Sequence, residues 1–197
     1  DVISAYSNVN TGFGNEAINI NDGTITVSQA RSLNALTGST VTGEIINTSR
    51  ISEMLDSSTG ITESGGSNVY TITIASADAA ASASDLNAVN ALTTQAVDIN
   101  LVTSLTSSSL SELSTLASNI AGFTNTTNIT TIALSDTSIA ADSLAARIDS
   151  FDSINGGSKT TSMTLSSGAT INASASEITE MLEDEQNGRL VIDDQNL

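Results

Sequence analysis

Along this chain, apolar residues alternate with polar ones over short runs and then recur three or four apart, and the two-stage pattern comes back repeatedly. The clearest copy begins at Ile129-Thr-Thr-Ile-Ala-Leu134, where period-two alternation predicts a half-buried strand. An Asp turn follows at Asp136, and then Leu144 and Ile148 mark the apolar face of a helix reaching Phe151. Similar runs are Ala17–Ile20, Tyr70–Ile74 and Leu190–Ile192, followed by Asp22, Asp78 and Asp193. The Asp turns are therefore spaced by about 56, 58 and 57 residues, a period typical of repeat arrays. Leu33 with Leu36, and Leu86 with Val89, supply the helical spacing in the first two copies.

A second unit sits between successive Asp turns. Ile46-Asn-Thr-Ser-Arg-Ile-Ser-Glu-Met-Leu55 and Ile171-Asn-Ala-Ser-Ala-Ser-Glu-Ile-Thr-Glu-Met-Leu182 both place a Ser/Thr cluster before a helix ending Glu-Met-Leu. A looser copy runs from Ile99 to Leu116. Extended segments precede them at Val41–Ile45, Val97–Ile99 and Met163–Leu165. The pattern reads A-B-A-B-A-B, each letter a strand and a short helix. The predicted fold is α/β: one solenoid domain over 1–197, of about six coils, with a parallel sheet on one side and short helices on the other. A right-handed parallel β-helix is the alternative. The double repeats fall at about 9–68, 69–123 and 124–188. Asp1–Tyr6 reads as the tail of a B helix and Arg189–Asp193 as the opening of a fourth A strand. On this reading the chain is a segment of a longer array, or its ends are completed by another protein.

Composition changes the picture in three ways. Aromatics make up only 3% of the chain and Trp is missing, so the expected interior is a thin layer of Ile, Val, Leu and Ala. Abundant Ser and Thr fit strands and helix caps, and the leucine periodicity argues against the disordered, glycosylated stalk that such composition can also mark. A net charge of −17, with five basic residues, sets the surface against nucleic acid and anionic membranes. No run of about 18 apolar residues suggests a membrane span.

Candidate chemistry is sparse. Without His or Cys there is no Ser-His-Asp or Cys-His triad, no thiol chemistry and no disulfide framework. The single lysine, Lys159, lies in a Gly/Ser-rich turn, a poor setting for a desolvated base. Thr11-Gly-Phe-Gly-Asn15 lacks the preceding strand of a dinucleotide fingerprint. Glu183-Asp-Glu185 and Asp193-Asp194 are expected to be solvated acids. Glu183, Glu185, Asn187 and Asp194, with Gly188 and Leu190 at the turn and apolar positions, partly match a calcium loop; the competing reading is a polar helix-to-strand turn. The recurrent Asp is read as a cap on the helix it precedes; the competing reading, a calcium ladder, lacks the Gly-x-Asp repeat of a calcium β-roll. The sequence assigns no catalytic, cofactor-binding or metal residue.

Gly12-Phe-Gly-Asn-Glu-Ala-Ile-Asn-Ile20, Ser135-Asp-Thr-Ser-Ile-Ala-Ala-Asp-Ser-Leu144 and Ile46-Asn-Thr-Ser49 resemble a family of repeats. These are the Thr/Ser/Ala/Leu-rich repeats of very long marine cyanobacterial proteins and of virion structural proteins of their phages. The resemblance implies a spacer, fibre or surface role on a virion or outside the cell, without enzymatic activity. The partners it implies are neighbouring repeats or subunits; the rival reading is a module that binds a cell-surface glycan or receptor.

Overall fold

The computed structural model describes residues 14–61, 68–154 and 161–191. The expected helix tail at Asp1–Tyr6, the turn around Lys159 and the Asp turn at Asp193 lie outside the described residues. The elements run in chain order as β1 (Ile18–Ile25), α1 (Val27–Leu36), β2 (Val41–Ile45), α2 (Ile51–Met54), β3 (Val69–Thr71), β4 (Ala80–Ala81), α3 (Ala83–Asn90), β5 (Val97–Asp98), β6 (Ser104–Ser108) and α4 (Leu110–Ser118). After them come β7 (Phe123–Thr124), β8 (Thr131–Leu134), β9 (Ser138–Ala140), α5 (Ala141–Ile154), β10 (Ser162–Thr164), β11 (Thr170–Asn172), α6 (Ala175–Gln186) and β12 (Leu190–Val191). The expected α/β class with parallel strands is what forms: β1, β2 and β3 pair in parallel, as do β5 with β7 and β9 with β11, and the five strands β4, β6, β8, β10 and β12.

The chain packs into two compact units. Asp1–Asp78, Ala88–Ile99 and Gly122–Thr124 make up the first; Ala79–Asn87, Asn100–Ala121 and Asn125–Leu197 make up the second. In the second, one row of side chains explains why the strands form where they do. Ala81 pairs with Leu105, Leu105 with Ile132, Ile132 with Met163 and Met163 with Leu190. All five are buried, so the alternation places one apolar residue per strand on the same inward face. Each larger member contributes about 1.5–3 kcal/mol by leaving water. The helices cover this face, with Leu86, Leu113, Leu116 and Leu144 fully buried, and α5 packs against α4 on one side and α6 on the other.

In the first unit β1 carries a bulge. Its register steps from Asn19 opposite Thr42 to Thr24 opposite Glu44, leaving four residues across from Gly43. A Cβ at Gly43 would sit 3.2 Å from Ile25 Cδ1, so the missing side chain admits the bulged strand. Two expectations about this unit are corrected. Phe123–Asn128, which the sequence predicts as a polar turn between repeats, is not simply that, because Phe123 is buried and opens β7 opposite Val97. Nor is the interior made only of Ile, Val, Leu and Ala: Tyr70 in this unit and Phe151 in the other are among the largest fully buried side chains. Burial of Tyr70 is permitted because its hydroxyl donates to Asn34 Oδ1 at 2.8 Å.

Candidate functional site

The polar side chains do their most organised work between successive strand–helix segments. A helix begins with backbone N–H groups that have no intrahelical acceptor. Some are met locally. Thr26 with Gln29, Ser109 with Glu112 and Ser174 with Glu177 form capping boxes at α1, α4 and α6. The Ser174 hydroxyl and N–H on Glu177 hold that exposed carboxyl below the usual carboxylate range.

The first N–H of three helices is met from the following segment instead. Ile51 N–H, opening α2, donates to Asp78 Oδ2 at 2.8 Å across 27 residues. Ala83 N–H, opening α3, donates to Ser108 Oγ at 2.9 Å across 25 residues. Leu110 N–H, opening α4, donates to Asp136 Oδ2 at 2.7 Å across 26 residues. The recurrent Asp is thus a cap, but for the helix of the preceding segment and not, as expected, for the one it precedes. The reason is geometric: Asp78 and Asp136 each lie five residues before the next helix and outside its first turn. Parallel pairing of successive strands instead brings them beside the helix start of the segment before. The other oxygen of Asp78 also takes Arg50 Nη2, at 3.2 Å. Asp22 has the same spacing before α1, lies in the β1 bulge and is exposed.

Ser108 has no acidic group, so its fit depends on the backbone. Ser107 stands at φ 46°, a left-handed conformation costly for a residue with a side chain. That kink falls at the register shift between β6 and β8 and turns Ser108 inward, where its Oγ accepts from Ala83 N–H and donates to Thr106 O at 3.1 Å. With both functions engaged and the residue fully buried, Ser108 is a staple and not a nucleophile.

Threonine hydroxyls repeat the theme in one direction. Thr37, Thr93, Thr130 and Thr161 donate to carbonyls of Glu16, Tyr70, Thr103 and Ile129, each in the preceding segment. Asn68 Oδ1 accepts Val41 N–H at 3.1 Å in a buried position. Sequence reasoning attributed these residues to strand propensity and caps. The signal that could have found the ladder is a Thr just before a strand, as at Thr103, Thr130 and Thr161.

The stretch weighed as a calcium loop is occupied otherwise. Glu183 and Glu185 lie on α6, two residues apart and so on different faces. Asn187 closes the helix, and Gly188, at φ 71°, supplies the left-handed turn after it. Leu190 is buried in β12, and Asp194 lies outside the described residues. The neighbouring Asp184 instead accepts Arg189 Nη1 at 2.6 Å. Arg189 is itself buried and reaches Asp152 and Asp149 on α5 through Nη2. Burial disfavours its charge, but the Asp149 hydrogen bond and the fields of Asp184, Asp152 and Asp149 outweigh it and raise the guanidinium pKa above its ordinary value. This cluster ties α5, α6 and the start of β12 together. Sequence reasoning missed it; Asp149 and Asp152, three apart on one helix face, were its only trace.

Among the described residues an open groove lies in each unit. The first, about 420 Å³, is lined by Thr26, Ser28, Thr48, Ser49 and Glu53 among others. The second, about 400 Å³, lies between α4 and α5 and includes Ser111, Ser114, Asp142, Ser143 and Arg147. Both are rich in hydroxyls, and in the second the Ser143 hydroxyl donates to the neighbouring Asp142 Oδ1 at 3.4 Å. Among the described residues no cluster of three metal-ligating acids occurs, and no helix is long and apolar enough to cross a membrane. Comparison with protein-family models, with curated proteins and with solved structures finds no match to this chain.

Proposed function

We propose that the chain is a non-enzymatic structural repeat module, built of stacked strand–helix coils, that serves as a spacer or assembly element in a virion or a giant extracellular surface protein. The observation that carries this reading is the set of bonds between neighbouring segments. Parallel strand partners, helix-start caps at Ile51, Ala83 and Leu110, and threonine hydroxyls all reach into the adjoining segment. A fold whose polar groups are satisfied by the next repeat propagates along the chain, as solenoids do, and does not close around one catalytic pocket. The six helices among the described residues favour a strand–helix solenoid over a right-handed parallel β-helix. The acidic surface suits saline surroundings, where screening shortens self-repulsion to about 8 Å or less.

Recognition of a glycan or receptor is the rival, and the two hydroxyl-lined grooves are what favour it. Against it, Tyr70, Phe123 and Phe151 are buried, so none of these rings is free to stack on a sugar. The test is to raise antibodies to this chain and to determine the mass of the native protein they capture from particle, surface and cytosolic fractions. A longer repeat-containing chain in the particle or surface fraction supports the proposal. A short protein confined to the cytosol sinks it.

A further inference from the structure

Ser49 and Ser108 hold the same position in two segments, each two residues before a helix, α2 at Ile51 and α4 at Leu110. Ser108 Oγ accepts the N–H that opens α3, one segment back. One segment back from Ser49 is α1, opened by Val27, and there the matching bond is not made. The Thr26 cap takes Gln29 N–H, while Val27 and Ser28 N–H have no acceptor among the described residues. The reason is local: Ser107 stands at φ 46° and turns Ser108 inward, whereas Thr48, before Ser49, has no left-handed backbone. Ser49 is nonetheless buried, only 6% exposed, and its hydroxyl has no partner among the described residues. It is not sealed in, as the unpartnered Asn68 Nδ2 and Asn87 Oδ1 are. With Val27 and Ser28, it opens on the groove of about 420 Å³ in the first unit.

We infer that this groove binds a small neutral saccharide. A helix start carries about half a positive charge and by itself draws anions. Here Glu53, the only charged side chain among the described residues lining the groove, sets a full negative charge against it, on a chain of net charge −17. The Arg50 guanidinium, next in sequence to Ser49, is engaged by Asp78 and the carbonyl of Ala77. A ligand must therefore be uncharged and must both accept and donate. Val27 and Ser28 N–H need acceptors. Glu53 takes Arg50 N–H on Oε2 at 3.0 Å, which leaves Oε1 for a donor. The Thr48 and Ser49 hydroxyls serve in either role. Sugar hydroxyls answer all three demands, and Val27 and Ile46 offer apolar contact to the C–H groups of the ring. The volume lies near the lower end of small-molecule sites, so the ligand is small. No aromatic ring is among the described residues lining the groove, so binding rests on hydrogen bonds and is weak. This goes beyond the spacer role and gives the recognition reading a definite place; it leans on the repeat only to match Ser49 with Ser108.

The experiment is two-dimensional 1H–15N NMR of the full chain, titrated separately with glucose, galactose, N-acetylglucosamine and inorganic phosphate. Ser49→Ala and Glu53→Gln variants run alongside, and their amide spectra check that they fold. The expected result is a saturable shift of the Val27 and Ser28 amides with at least one of the sugars, at a Kd of about 1–10 mM. Ser49→Ala should weaken it about threefold to tenfold, the loss of one hydrogen bond. The proposal is overturned if no sugar moves these amides, if the shifts scatter over the surface, or if Ser49→Ala binds as well as the wild type. Phosphate moving the same amides more than any sugar, and more again in Glu53→Gln, would make the groove an anion site and overturn it too. Each of these leaves the assembly reading standing, because that reading is tested by the size and location of the native protein.

Discussion

Tyr70 is where a single residue has the most to say. Burial disfavours the phenolate and raises the Tyr70 pKa well above its ordinary value near 10. In the unfolded chain the same phenol ionises near pH 10, so the stability is fully present below that pH. It is lost as pH rises from about 10 toward the folded value, because only the unfolded state releases the proton. Alkaline unfolding followed by circular dichroism should steepen above pH 10, and Tyr70→Phe should remove that dependence while costing about 0.5–1.5 kcal/mol at neutral pH. An identical alkaline profile in the variant would show that Tyr70 ionises freely. Arg189 is the charged counterpart. Replacing it with Met leaves the buried Asp152 and the half-buried Asp184 without their cation, and should cost about 3–5 kcal/mol in denaturant unfolding. A loss under about 1 kcal/mol would mean that the cluster is an ordinary surface pairing.

At the scale of elements, helices and strands were legible because their signals are local. Leucine spacing marked α3, α4 and α5, and period-two alternation marked β3 and β8. The inward row from Ala81 to Leu190 follows from the same alternation once strands pair in register. Leu144 is fully buried in the first turn of α5, so Leu144→Ala should lower stability by about 2–5 kcal/mol. An unchanged unfolding midpoint would place that face in solvent. What sequence did not reveal were the elements made by partners distant in the chain. Phe123 becomes a strand residue because Val97 lies opposite, and nothing beside Phe123 announces it. The direction of the Asp cap was missed for the same reason: carboxylate and amide are 26 or 27 residues apart. Ser108 was hidden within a run of three serines, where only the kink at Ser107 distinguishes it.

For the molecule as a whole, the central claim is that each segment is fastened by the one that follows it. The Ser/Thr-rich composition then has a cause, since hydroxyls and short acids are the side chains that can reach one segment back. The most direct test is residue-resolved hydrogen exchange on Asp136→Ala. The loss of one helix cap, about 1 kcal/mol, should speed exchange in α4, from Leu110 through Leu116, some 26 residues upstream of the substitution. The start of α5, from Ala141 to Leu144, should change little. Faster exchange confined to α5, with α4 untouched, would contradict the account and restore the Asp to the helix it precedes.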